Sequence, residues 1–529
     1  MDSFDSIVVG SGPAGSLIAH HLVTEKRAKV LLLEAGPEDK GILFRIPAGF
    51  LKYYVTNQNY WPYRGVVEES LGNRAPRMQN GKVLGGGSSV NAMVHIRGTR
   101  ADYDDWAQAT GINDLNGDTM FELMSDLENN AVFGGEGHGN GGLLHVSNQT
   151  HIDALSQAFV AAAQNGGLPY NPDFNSDGQN GVGFYQLNTK GVRRWSAVDA
   201  FLRPLSKDPN LKIVTDAHVE RVLFQGKEAK GIRYRKSGEA VEVSASKSVI
   251  LAAGAIGSPK ILMQSGIGDG AALRELGIDV THDNANVGAN LIDHCEAPVA
   301  AYTKARMGYY GMDSGWRSWL AGMQYLAFGT GPAASNGVEA GGFMSTTGDT
   351  ERPDIQVFSV PGIYVDKDVT DVKPGPGITL NACLLRPKSR GWVRLLDKDP
   401  DTLPEIRTNF LAEDDDLETL VVALRKLRAL FDQEPLKGLI HKEALPGRGV
   451  EDDQDFKAHI RRFTKTVYHP MGTCRIGPVG DDNAVTDPEF SVQGVNGLKV
   501  IDASVFPGPV SGNTSMAVYA LAKYACRKL

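Results

Sequence analysis

Phe4-Asp5-Ser6-Ile7-Val8-Val9-Gly10-Ser11-Gly12-Pro13-Ala14-Gly15 is the stretch on which the fold turns. Phe4 to Val9 reads as a buried parallel strand, and the glycine-rich turn after it opens a helix. Val30-Leu31-Leu32-Leu33-Glu34 then supplies a second buried strand, closing a βαβ unit. Gly10 permits the tight turn, Gly12 lets a pyrophosphate reach the backbone at the helix N-terminus, and Gly15 allows close helix–strand packing. Glu34 ends the second strand, where a carboxylate can accept hydrogen bonds from ribose hydroxyls. A lone Gly-x-Gly-x-x-Gly is weak evidence, but here its strand, helix and acidic residue are all in place.

Further along, residues 40–100 are irregular and end in Gly81-Lys82-Val83-Leu84-Gly85-Gly86-Gly87-Ser88-Ser89-Val90-Asn91, a loop whose exposed N–H groups suit an anion or an aromatic ring system. Helical spacing marks Asp118–Glu128 and Ile152–Gln164. Short strands are expected at Leu211–Thr215, Val219–Phe224, Gly231–Tyr234 and Val241–Val243. Val249–Gly254 reads as another buried strand, leading into a helix over Ser258–Ser265, where the nucleotide-binding sheet resumes. Between 300 and 465, alternating segments at Gly341–Met344, Ile355–Phe358 and Thr379–Arg386 precede a long helix over Asp414–Phe431, which predicts an α+β unit on a mostly antiparallel sheet. The expected division is an α/β Rossmann-type domain from 1–40, 72–100, 205–300 and 466–529, and a second domain with cofactor-covering segments from 41–71, 101–204 and 301–465.

Composition bounds the function. The 529 residues exceed what one core usually serves. Gly accounts for 61 of them, well above a usual share of ~7%. The net charge of −8, without a dense basic stripe, argues against nucleic acid. Cys295, Cys383, Cys474 and Cys526 are scattered and read as reduced thiols, and no His/Cys/carboxylate spacing suggests a metal. Because a strand already occupies residues 4–10, no signal peptide is expected, and no apolar run is long enough to span a membrane. A cytoplasmic protein is predicted, with peripheral contact to the inner membrane left open.

The fingerprint, the Gly81–Asn91 loop and the run Gly254-Ala255-Ile256-Gly257-Ser258-Pro259-Lys260-Ile261-Leu262-Met263-Gln264-Ser265-Gly266-Ile267-Gly268 together resemble the glucose-methanol-choline (GMC) oxidoreductases. So do Val287–His294, Tyr468-His469-Pro470-Met471-Gly472-Thr473-Cys474 and Asp502-Ala503-Ser504-Val505-Phe506-Pro507. The resemblance covers essentially the whole chain. It implies FAD, with Gly10, Gly12, Pro13, Ala14 and Gly15 at the pyrophosphate, Glu34 and Ala35 at the adenosine ribose, and backbone groups of Val219 at the adenine. Leu84, Gly86, Gly87, Ser88 and Asn91, followed by Ala92, Met93 and Val94, are the implied loop contacts. Ala253, Asp502, Ala503, Asn513 and Thr514 complete the implied set. Family members that bond the flavin through this loop carry a His directly before the Asn; here Val90 stands there, so noncovalent FAD is expected. His95 replaces the usual aromatic after the loop.

Oxidising an alcohol by hydride transfer needs a base for the hydroxyl proton and a partner that orients the hydroxyl, with the cofactor as hydride acceptor. His469 suits the base, because an imidazole titrates near neutrality. By resemblance Asn513 is its partner, and hydride goes to flavin N5. Read without the family, Asn513 is equally a cap for the apolar helix Met516–Cys526. The free N–H groups at that helix start could also stabilise a reduced flavin anion. His95 and His294 read as pocket or core histidines.

The stretches Asn130–Phe133, Gly167–Asn175 and Gly331–Asn336 are most similar to the L-sorbose-dehydrogenase and choline-dehydrogenase-like branches. They imply oxidation of a primary alcohol on a sugar or polyol, such as L-sorbose, to the aldehyde. Choline or another small alcohol is the alternative substrate, and a non-redox, FAD-containing hydroxynitrile lyase the alternative activity. Glu339 is expected at the substrate site or as a structural strand carboxylate. An electron acceptor, whether a quinone, a dye or oxygen, is expected as the second partner.

Overall fold

A computed structural model describes residues 3–135, 137–176, 178–366, 368–369 and 371–529. Its first sheet runs in the order Leu211–Val214, Val30–Leu33, Ser3–Val9, Glu239–Leu251, Glu228–Lys236, His218–Gln225, with Leu498–Val500 also paired to Glu239–Leu251. The strands that begin the chain are parallel: Ile7, Val8 and Val9 lie opposite Leu31, Leu32 and Leu33 on one side and Val249, Ile250 and Leu251 on the other. All are buried, as continuous apolar strands covered on both faces should be.

The glycines of the first turn act as expected. Gly10 has φ +97°, and a Cβ there would lie 2.4 Å from the Ala252 carbonyl oxygen. A Cβ on Gly15 would lie 1.9 Å from the Gly10 carbonyl oxygen, so only glycine lets the helix Pro13–Thr24 sit this close to the strand ends. The C-terminal helix Ser515–Cys526 packs against that same helix and returns the chain end to the nucleotide side.

Glu239–Leu251 is one continuous strand of 13 residues rather than the two short ones the sequence suggests. Its first part forms a hairpin with Glu228–Lys236 through Ser237 and Gly238, both at positive φ, and its last part joins the parallel sheet. The small polar run Ser244–Ser248 between the apolar ends hides that continuity. The helix after it begins at Gly254, four residues before the expected start.

The second sheet is antiparallel throughout: Ile440–Leu445, Cys295–Thr303, Gly377–Leu384, Ile355–Val360, Ala340–Met344, Gly181–Phe184, with Lys465–Thr466 beside Cys295–Glu296. Cys295–Ala300, placed by sequence with the nucleotide-binding segments, pairs here instead. The helices Ala154–Asn165 and Asp414–Ala429 pack on this sheet. Strand alternation then divides the side chains: Val357 joins the core with those helices, whereas Phe358 faces the cavity between the two units.

Candidate active site and cofactor cavity

A cavity of about 950 Å³ lies between the two sheets. Of the cofactor contacts expected from sequence, all but Gly15 and Leu84 line it. Gly15 is spent on helix packing, and Leu84 is buried beneath the loop.

At the nucleotide end, a Cβ added to Gly12 or Gly87 would meet no atom within 4 Å, because both glycines face open cavity. Gly86 instead is pressed onto the fingerprint, its Cβ position 2.9 Å from Gly12 Cα. Among the described residues no side chain caps the helix Pro13–Thr24, which leaves its first N–H groups for an anion. Ser11 ties the parts together: its hydroxyl donates to Glu34 Oε2 at 2.6 Å and accepts from the Gly85 N–H at 3.0 Å. Glu34 Oε1 accepts from the Gly36 N–H, and burial pushes the carboxyl pKa up against these hydrogen bonds. Together the free helix end, the open glycines and the buried carboxylate fit a dinucleotide.

The loop over the cavity is held by Arg194, which sequence reasoning missed. Fully buried, Arg194 donates to the Ser88 carbonyl at 3.0 Å, to Asn91 Oδ1 at 2.7 Å and to the Asn91 carbonyl at 2.6 Å. Burial lowers its pKa to about 10. Only the distance in sequence, more than 100 residues, conceals the link. Val90 packs with Phe44, Tyr53 and Val83 and brings no nucleophile to the cavity. His95 faces away, bonding Glu128 at 2.8 Å and Asn188 at 3.2 Å in a buried polar cluster, so it forms no cavity wall. The Asp502 carboxylate is likewise committed, accepting from the Gly254 N–H, the Ser258 hydroxyl and the Ser504 N–H.

At the other end His469 and Asn513 meet. Asn513 Nδ2 lies 3.2 Å from His469 Nε2, and Asn513 Oδ1 accepts from Gln356 Nε2 at 3.2 Å. Asn513 therefore presents a donor to His469, so Nε2 carries the lone pair and Nδ1 the proton. His469 Nδ1 lies 3.0 Å from His294 Nδ1, and His294 Nε2 lies 3.0 Å from the Leu385 carbonyl. A carbonyl only accepts, which puts the His294 proton on Nε2 and leaves Nδ1 as the acceptor for His469. Both ends of the chain thus assign the same tautomer, with the basic nitrogen of His469 beside Asn513 in the cavity. Burial, and then His294, hold the His469 pKa well below its ordinary value, so the ring is neutral near pH 7. Asp293 fixes its backbone by accepting the His469 N–H at 2.9 Å. Asn513 is not the helix cap: that position is Thr514, and no side chain caps the helix.

Beyond this pair the wall combines Phe358, Val360, Ile363 and Val467 with Tyr54, Tyr364, Tyr468 and Asn381, and with an ion pair between Lys465 and Glu296, both buried. Lys465 Nζ also sits 4.4 Å from the Tyr364 ring centroid and 3.3 Å from its hydroxyl. Burial works against the ammonium, but Glu296, Tyr468 and Tyr54 together outweigh it and raise the Lys465 pKa. Glu339, expected at the substrate site, does not line the cavity. It is fully buried and accepts from the Asp153 N–H and the hydroxyls of Ser156, Ser335 and Tyr309. The geometry matches the structural half of the second reading, with Glu339 just before the strand Ala340–Met344 rather than in it.

A dinucleotide cradle opening onto a neutral imidazole and an amide donor, beneath an antiparallel sheet, fits an oxidoreductase that uses a dinucleotide cofactor. Two family models described as GMC oxidoreductase match residues 4–296 and 387–522. An alcohol dehydrogenase [acceptor] of Pseudomonas putida is 36% identical over 526 residues, covering 99% of this chain and 95% of the relative. The mitochondrial choline dehydrogenase of Homo sapiens is 34% identical over 538 residues, covering 99% and 89%. Among solved structures, a pyridoxine 4-oxidase from Mesorbium loti superposes with TM-score 0.89 at 28% identity, over 99% of this chain and 98% of the other. The chain belongs to the GMC oxidoreductases. It is an FAD-dependent enzyme acting on the CH–OH group of alcohols.

Proposed function

We propose that the substrate is an uncharged primary alcohol, oxidised to the aldehyde with His469 as base and Asn513 as the group that orients the hydroxyl. The observation that carries the chemistry is the His294–His469–Asn513 chain, which leaves a neutral, basic Nε2 next to an amide donor. FAD, held noncovalently, supplies the hydride acceptor. An alcohol placed between the two side chains donates its hydroxyl proton to His469 Nε2 and accepts from Asn513 Nδ2.

Charge and polarity of the wall narrow the substrate. Glu296, the carboxylate that lines the cavity at this end, is neutralised by Lys465, so an ammonium alcohol such as choline would meet a closed ion pair rather than a free anion. Phe358, Val360 and Ile363 favour an alkyl or aryl substituent, and the hydroxyls of Tyr364 and Tyr468 on the same wall are already bonded to Tyr54, so a polyol would find few open partners. L-Sorbose, the expectation from sequence, therefore receives less support from the wall. Anaerobic stopped-flow mixing with alkanols, benzyl alcohol, L-sorbose and choline tests this. Bleaching of the flavin band by the apolar alcohols is expected, and bleaching fastest with choline or L-sorbose would overturn the assignment.

A further inference from the structure

The helix Gly315–Phe328 carries its apolar residues on the outside. Trp316, Trp319, Leu320, Met323 and Leu326 recur at i, i+3, i+4, i+7 and i+10, and with Phe328 they are 46 to 77% exposed. The opposite side, Ala321 and Tyr325, is buried against the protein. An amphipathic helix normally turns such a stripe inward; here it is outward and contains no charged residue. A contiguous exposed patch of this kind marks an interaction site.

Two surroundings say what covers it. In residues 301–330 the cations Lys304, Arg306 and Arg317 face a single acidic residue, Asp313, on a chain whose net charge is −8. Arg317 lies 5.4 Å from the Trp316 ring and Arg306 5.5 Å from the Tyr310 ring, so cations and aromatics share one surface. The cavity also opens here. Leu51, Arg306, Tyr310, Asp313 and Ser314 both line it and are exposed, and Ser314 is the N-cap of the helix. Leu51 and Val55 extend the exposed apolar surface from the neighbouring helix Gly49–Thr56.

We propose that Gly315–Phe328 docks on an anionic lipid bilayer, lying in the interfacial plane with Trp316, Trp319, Leu320, Met323 and Leu326 among the acyl chains. Tryptophans beside arginines are the composition such interfacial helices use, and the basic rim answers the negative lipid surface. Among the described residues no helix is long and apolar enough to cross a membrane, so the contact is with the surface. A second copy of the chain fits less well. A helix of this length projects about 21 Å by 10 Å, a few-fold short of the roughly 800 Å² per partner of a stable interface. Docking brings a mouth of the cavity to the lipid, where an apolar alcohol or a lipid-soluble electron acceptor concentrates.

The test is flotation of the FAD-loaded full chain with vesicles of phosphatidylcholine alone or with about a quarter phosphatidylglycerol. The protein is expected to float with the anionic vesicles and to be partly released by salt. Trp316→Ser, Trp319→Ser and Leu320→Ser together should lower the partition coefficient by about tenfold or more, with melting temperature and flavin reduction by a water-soluble alcohol unchanged. Met323→Glu, a single charge in the stripe, should also reduce flotation. Wild-type protein that stays unbound at both compositions, or variants that float as well as wild type, would overturn the proposal. So would a wild-type dimer that the triple substitution converts to a monomer without any flotation, since the face would then belong to a second copy.

Discussion

His469 Nδ1 lies 3.0 Å from His294 Nδ1, with the two rings at 89° to one another. Since His294 is itself anchored on the Leu385 carbonyl, it can only accept at Nδ1, and His469 is held as the tautomer with an unprotonated Nε2. His294 touches no substrate position; it is a positioning residue acting through His469.

One consequence is the pH profile. A base works unprotonated, and burial together with His294 lowers the His469 pKa below 6.5. The lone pair therefore survives into acid, and flavin reduction should stay level from about pH 8 down through 6.5, falling only as pH drops through the lowered pKa. An acid limb at or above the ordinary histidine value would contradict this. His294→Leu should slow reduction by about tenfold or more and shift that limb, whereas His294→Asn, which keeps an acceptor, should restore part of the rate.

Direct removal of the base should be more severe. His469→Ala should keep its FAD and lose ~10²- to 10⁴-fold in the rate of flavin reduction. Asn513→Ala should slow reduction too while leaving thermal stability nearly unchanged, because Thr514 holds the cap position and, among the described residues, the Asn513 side chain bonds His469 and Gln356 alone. A large drop in melting temperature for Asn513→Ala would return it to a capping role.

Much of this site is legible in the sequence wherever function rests on local backbone form. Gly10, Gly12 and Glu34 sit in one contiguous βαβ unit, and the residues on either side state their context. His469 and Asn513 come from order and motif, not from periodicity. What the sequence conceals is long-range pairing. Arg194 reaches the Ser88–Asn91 loop from over a hundred residues away, and nothing near it in sequence marks it as buried. Glu296 lies in the strand Cys295–Thr303 and Glu339 just before the strand Ala340–Met344; only the tertiary fold tells which faces the cavity and which faces Ser156 and Ser335. Similarly, Gly315–Phe328 has helical periodicity, but periodicity alone does not say whether the apolar face points in or out.

The two fingerprint glycines should separate by experiment. Gly12→Val adds atoms only to open cavity, so the fold should persist while FAD affinity falls. Gly15→Val drives a side chain into the Gly10 carbonyl and should destabilise the protein itself. Thermal melting of the apoprotein and flavin titration distinguish the two; equal loss of stability would mean that Gly12 is also structural. Because Val90 offers no nucleophile, acid precipitation of the wild-type holoenzyme should leave the flavin in the supernatant, and yellow protein in the pellet would refute noncovalent binding.

The Lys465–Glu296 pair makes the substrate's charge testable. Lys465→Met removes one partner of a buried pair and leaves an uncompensated carboxylate in the cavity wall, a change that costs about 3–5 kcal/mol in comparable sites. A small organic cation can take the ammonium's place. Tetramethylammonium should therefore raise the melting temperature of Lys465→Met and leave wild type unmoved, and choline should become a better substrate relative to apolar alcohols. The double substitution Lys465→Met with Glu296→Gln removes both charges, so it should recover stability, lose the response to tetramethylammonium and keep turnover of uncharged alcohols. If wild type already binds tetramethylammonium and the single variant binds it no better, the ion pair does not exclude cations, and the wall selects its alcohol by shape instead.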